Sequence, residues 1–164
     1  MLTSEYNMKI ESKYVAGSCA AFLLVVGSGF AEELTLDECP EAVKTVIVDH
    51  VKDGRLDEIE RFNIEGKTIY IAEVDMAQDR DLKVYVSGSA ELLKTVREVR
   101  LSEVPEPVRS AVLELEGSPD DLEQVNSEGI TTYNVEMERT GEPDLEVVLS
   151  AKGAVIRQTE KVED

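Results

Sequence analysis

Few side chains in this chain are suited to chemistry. His50 is the only histidine, Cys19 and Cys39 are the only cysteines, and Asp and Glu together number thirty-five. A Ser-His-Asp arrangement would rest on His50 alone, and a zinc site of ordinary composition needs more His and Cys than are present. His50 lies on one face of a helical pattern, where a second, similar segment has Leu115, so it reads as a packing residue rather than an acid–base group. Carboxylates are so abundant that no pair stands out as general acid and base. Asp79-Arg80-Asp81 and residues 114–121 do not match the ligand spacing of a calcium loop, which leaves weak divalent cation binding as a surface property. Gly27-Ser28-Gly29 lies in an apolar leader, and Ser87-Gly88-Ser89 has no helical pattern after it, so neither reads as a phosphate loop. The expectation is a non-enzyme with no catalytic residue, metal-ligand set or cofactor motif.

The sequence does offer a candidate recognition surface. Residues 67–76 and 81–87 alternate as strands, and Ile69, Ile71 and Tyr85 fall on the face opposite the core, beside Glu73 and Lys83. The corresponding positions further along the chain are Thr132, Asn134 and Val148, with Glu136 and Glu146. An apolar cluster on a nominally open sheet face suggests a partner surface. The alternative is internal packing, with the other copy, or Leu92 or Leu93 of the fourth strand, covering the cluster.

Those strands belong to a pattern that occurs twice. Leu36-Asp37-Glu38-Cys39-Pro40-Glu41-Ala42-Val43-Lys44 recurs as Leu101-Ser102-Glu103-Val104-Pro105-Glu106-Pro107-Val108-Arg109, and residues 58–94 recur more loosely as 121–157. In each copy a proline and a glutamate mark a helix start, where a missing N–H costs nothing and an acid favours the dipole. Val43, Val46, Ile47, His50 and Val51 share one helical face, as do Val108, Ala111, Val112 and Leu115. The period then switches to two. Strands are predicted over 56–64, 67–76, 81–87 and 91–99, then over 122–127, 130–137, 144–150 and 154–162, with tight turns at Glu65-Gly66 and Glu128-Gly129. Comparison of the copies puts Tyr70, Ala72, Val74, Leu82, Val84 and Val86 in the core with Tyr133, Val135, Met137, Leu145, Val147 and Leu149. The predicted fold class is α+β: two tandem units, each one helix packed on a three- to four-stranded antiparallel meander, over residues 32–99 and 100–164.

Residues 1–31 differ from the rest. Lys9 and Lys13 precede an apolar run over 14–30, and Gly29 and Ala31 are small residues at the positions a signal peptidase reads. A secretory signal peptide is predicted, with Met8 the better start, and hence a periplasmic or secreted protein. Too little apolar sequence precedes Cys19 for a lipid anchor. Cys39 is then the single cysteine of the mature chain, which excludes an internal disulfide, and Val104 at the matching position marks it as a small apolar residue. The net charge of −18 disfavours nucleic acid and anionic membrane surfaces.

The order Leu-x-x-x-Pro-Glu-x-Val-Lys, Ile59-Glu60, Glu65-Gly66-Lys67, Tyr70-x-x-Glu73-Val74 and Leu82-x-Val84-x-Val86 resembles the PepSY-like family, which includes β-lactamase-inhibitor-like proteins. The resemblance runs through both copies from Leu36 onward. Ile130 stands where a lysine is expected after the glycine, and 122–127 lacks a clear strand pattern. The resemblance implies a non-catalytic extracytoplasmic module that binds or inhibits a protein, such as a protease or another envelope enzyme, through an open sheet face. The other reading is an acidic cation-binding or stress-buffering envelope protein.

Overall fold

The computed structural model describes residues 31–51 and 54–161. The predicted leader up to Phe30, with Cys19 and the Met8 start, lies outside them. A two-residue strand β1 (Glu32–Glu33) and a short 3-10 turn (Leu36–Glu38) lead into helix α1 (Glu41–His50). Four strands follow: β2 (Arg55–Ile64), β3 (Lys67–Met76), β4 (Arg80–Ser87) and β5 (Leu92–Glu98). Helix α2 (Glu106–Glu114) comes next, then β6 (Ser118–Ser127), β7 (Ile130–Glu138), β8 (Leu145–Ser150) and β9 (Val155–Glu160). Pro40 and Pro105 sit one residue before their helices. Their carbonyls accept the amides of Lys44 at 2.9 Å and Arg109 at 3.0 Å, so each proline opens a helix without having to donate.

The expected pair of tandem helix-on-sheet units, each with its own sheet, is not what forms. All nine strands join one antiparallel sheet in chain order, β1 to β9. The junction is β5 with β6, where Thr95, Val96, Arg97 and Glu98 pair with Asn126, Val125, Gln124 and Glu123. Two independent sheets would each leave a row of backbone N–H and C=O groups unpaired at this place. The intervening segment with α2 returns the chain beside β5, and the two edges satisfy each other instead.

Strand register carries one face through the sheet. Ala72 pairs with Val84, Val84 with Thr95, Thr95 with Asn126, and Gln124 with Tyr133, so the helix-covered side of β3 and β4 is continuous with that of β6 and β7. Two apolar clusters occupy this side. Val43 and Ile47 of α1 pack with Cys39, Ile59, Tyr70, Ala72, Val84 and Val86, while Val108 and Val112 of α2 pack with Val104, Leu122, Tyr133, Val135, Met137, Leu145, Val147 and Leu149. Thr95, Arg97, Gln124 and Asn126 form a polar seam on the same side at the junction. Cys39 and Val104 each fill a buried place beside a helix start, and burial pushes the Cys39 thiol up. Leu115 ends α2 in extended conformation yet still packs on its cluster, so that helix is one residue shorter than the apolar spacing predicts.

Gly153, between β8 and β9, has φ +78°, and a Cβ there would lie 2.2 Å from the backbone oxygen of Pro107 in α2. This close approach seats the start of α2 on the sheet. Gly66 has the same φ, but nothing lies within 4 Å of its would-be Cβ. Gly66→Ala should therefore cost about 1 kcal/mol for the left-handed backbone alone, whereas Gly153→Ala should cost about 2–4 kcal/mol because a backbone clash is added. Urea unfolding of the two variants checks this, and equal losses would contradict it.

Candidate functional site

Both helices of the described residues lie on one side, so that among the described residues no helix covers the other face of the sheet. Cross-strand register lays out its rows. One runs Glu58, Glu73, Lys83, Val96, Val125, Thr132 and Ser150 across seven strands. A second runs Glu60, Ile71, Tyr85 and Lys94, and a third Glu98, Glu123, Asn134, Val148 and Arg157. Asp121, Glu136, Glu146 and Thr159 form a fourth.

The structure brings the five predicted binding residues together on this face. Ile71 pairs directly with Tyr85 and Glu73 with Lys83, and Ile69 stands one step further along β3, opposite Phe62 of β2 and Ser87 of β4. Ile69, Ile71 and Tyr85 are half-buried. The Lys94 ammonium lies 4.2 Å from the centroid of the Tyr85 ring, a cation–π contact that covers one side of it. Burial pushes the Tyr85 phenol up. Lys83 Nζ meets Glu73 Oε1 at 2.8 Å, and that partner holds the ammonium above the ordinary lysine range. Thr132, Asn134, Val148, Glu136 and Glu146 share the face because the junction makes it continuous.

Several residues on this face are not evident from the sequence pattern of the first copy. Val96, Val125 and Val148 are buried at 8%, 1% and 8% exposure, although none belongs to a helix-covered cluster. Their neighbours on adjacent strands shield them. Beside them Glu123 accepts a hydrogen bond from Asn134 Nδ2 at 3.3 Å. Burial, reinforced by the charge of Asp121, holds the Glu123 carboxyl above its usual range despite that bond, and burial likewise raises Asp121. Lys161 Nζ meets Glu136 Oε1 at 2.5 Å on the same face.

His50 lies elsewhere, half-buried at the end of α1, where Nδ1 donates to the Val46 carbonyl at 2.8 Å. Among the described residues, no group of three or more His, Cys, Asp or Glu is placed to hold a metal ion, and no helix is long and apolar enough to cross a membrane.

No family model matches the chain, and no curated protein does. Solved structures do. A DUF2874 family protein from Bacteroides uniformis superposes with a TM-score of 0.61 at 19% identity, covering 74% of this chain and 89% of the other. A BLIP-like protein from Bacteroides fragilis gives 0.60 at 17% identity over 77% and 89%. A "putative periplasmic" protein from Bacteroides eggerthii gives 0.62 at 20% identity over 74% and 88%. The chain has the fold of these proteins.

The raised carboxyls of Asp121 and Glu123 give stability a definite pH dependence. Each binds its proton more tightly folded than unfolded, so stability falls as pH rises from the ordinary carboxylate range through the raised folded values. Glu123→Gln keeps an acceptor for Asn134 and removes the charge. It should stabilise the protein at pH 7 by on the order of 0.5 kcal/mol and flatten the loss between pH 4 and neutrality, read by thermal melting across pH. A variant less stable than the parent at pH 7 would contradict the electrostatic reading.

Proposed function

We propose that the protein is a non-catalytic module that acts outside the cytoplasm and recognises a protein partner with the helix-free face of its sheet, as an inhibitor where that partner is an enzyme. The observation that carries this reading is the face itself. It spans the junction of β5 and β6, and it holds Ile71, Tyr85, Val96, Val125 and Val148 with no helix above them among the described residues. Ile69, Ile71 and Tyr85, flanked by Glu73 and Lys83, form the part of it richest in large apolar side chains. A mixed apolar and charged surface of this width suits a protein better than a small molecule, which favours an enclosed apolar pocket. The signal-peptide pattern before residue 32, together with the fold shared with a BLIP-like protein and a "putative periplasmic" one, supports the location and class of partner. The PepSY-like order of residues from Leu36 onward agrees with a binding role.

Affinity capture from an envelope fraction tests the face against the helix side. Ile71→Glu places a charge in the apolar patch, whereas Leu113→Glu alters an exposed position of α2, 67% accessible. Both variants should melt within about 4 °C of the parent, as surface changes do. Ile71→Glu should lose a protein that the parent and Leu113→Glu both retain. Identical capture by all three, or unfolding of Ile71→Glu, would overturn the proposal.

A further inference from the structure

The two lateral edges of the sheet are treated differently. At one, β1 lies along β2: Glu32 pairs with Arg61 and Glu33 with Glu60, and an ion pair joins Arg61 to Glu32. The Leu34 amide extends this cover by donating to the Ile59 carbonyl at 2.8 Å. At the other edge β9 pairs with β8, and among the described residues no strand lies along its outer side. The Lys161 amide donates to the Asp144 carbonyl at 2.8 Å. Inward and outward groups alternate along an antiparallel strand, so Thr159 and Arg157 also bond toward β8, while the N–H and C=O of Gln158 and Glu160 point away from it. The register shift at Val148 and Leu149 confines the irregular part to the start of β9 and leaves residues 157–160 as a regular free edge. Beside it Val155 and Ile156 are 54% and 59% exposed.

We propose that the outer edge of β9 takes up an extended segment of a protein partner as an added strand, with an acidic side chain opposite Arg157. The inference takes from the preceding reading only that the partner is a protein, and it adds a second surface whose recognition chemistry is main-chain hydrogen bonding. An extended backbone laid along β9 exchanges N–H···O bonds with Gln158 and Glu160, the positions that β8 leaves unpaired. Nothing within the six residues of β9 discourages this, since the strand holds no proline or lysine and its bulge lies at one end. Charge selects the occupant. Glu160 pairs with Arg139 at 3.0 Å and Lys161 with Glu136 at 2.5 Å, whereas Lys152 and Arg157 make no ion pair among the described residues. Arg157 projects on the helix-free face, opposite Val148, where the side chain of an added strand would stand beside it. A second copy of this chain fits less well. Each copy carries a net charge of −18, and two-fold pairing about Gln158 would place the two Arg157 side chains diagonally across from one another.

The test is an NMR titration of the 15N-labelled protein with the probe acetyl-Val-Thr-Val-Glu-Val-amide. Antiparallel pairing sets its glutamate opposite Arg157 and its central valine opposite Gln158. Saturable shifts are expected at the amides of Gln158 and Glu160, which gain acceptors. The same peptide N-methylated at the central valine lacks the donor to the Gln158 carbonyl and should give no shifts there. With lysine in place of glutamate, the peptide should bind about threefold more weakly, the worth of one exposed ion pair. Gln158→Pro removes an N–H that β8 does not use, so this variant should keep its fold and lose the shifts. Equal shifts with the N-methylated peptide, equal affinity for the lysine peptide, or shifts confined to other surfaces would overturn the proposal. A Gln158 amide already protected from exchange in the free, dilute protein would overturn it too, as would a concentration-dependent dimer that Gln158→Pro abolishes. Ile71 lies six strands from β9, so Ile71→Glu should leave the peptide shifts unchanged whether or not it loses its captured protein, and the two readings fail separately.

Discussion

The backbone pairing of β5 with β6 is the constraint on which the rest of the structure depends. Four registered residue pairs, from Thr95 with Asn126 to Glu98 with Glu123, convert what would be two short meanders into one nine-stranded sheet. Each meander alone would expose an edge at this place, with unpaired N–H and C=O groups open to any passing strand. Pairing removes both edges at once. Because side chains alternate along each strand, the register of β5 with β6, which has no shift, also puts the two helix-covered clusters on the same side. The opposite side is then open and continuous by geometry rather than by any separate instruction in the sequence.

Energetics divide along the same plane. The helix side holds two valine-rich clusters separated by the polar seam of Thr95, Arg97, Gln124 and Asn126, so the helices do not need to touch one another to be stable. The open side buries Val96, Val125 and Val148 by strand-to-strand shielding, and it carries carboxylates whose ionised forms are disfavoured by burial and by one another.

Much of this was legible from residue pattern. Tyr133, Val135 and Met137 alternate with the polar Asn134, Glu136 and Glu138, and comparison with them places Tyr70, Ala72 and Val74 on the same covered face despite Ile69 and Ile71 beside them; all six are buried. Glu65-Gly66 and Glu128-Gly129 mark two-residue hairpins, and all four residues take positive φ as such turns require. What the pattern does not contain is the identity of a strand's neighbour. Thr95 to Glu98 show nothing to say that residues 123–126 lie beside them, since pairing is a long-range choice made by edges and by the path of α2. Without it the pattern predicts two tandem units, each with its own sheet. For the same reason the pattern does not show that Glu98 of β5 and Glu123 of β6 stand opposite one another once the junction forms. Strand β1 escaped notice because two residues carry no period.

Amide hydrogen exchange at the junction tests the single sheet most directly. In one continuous sheet, the junction amides of residues 95–98 and 123–126 that pair across β5 and β6 exchange as slowly as those of the central strands β3 and β7, and cross-strand NOEs link Val96 to Val125. Exchange of these amides at the rate of a solvent-exposed edge, with no such NOEs, would show two separate sheets and contradict the shared open face.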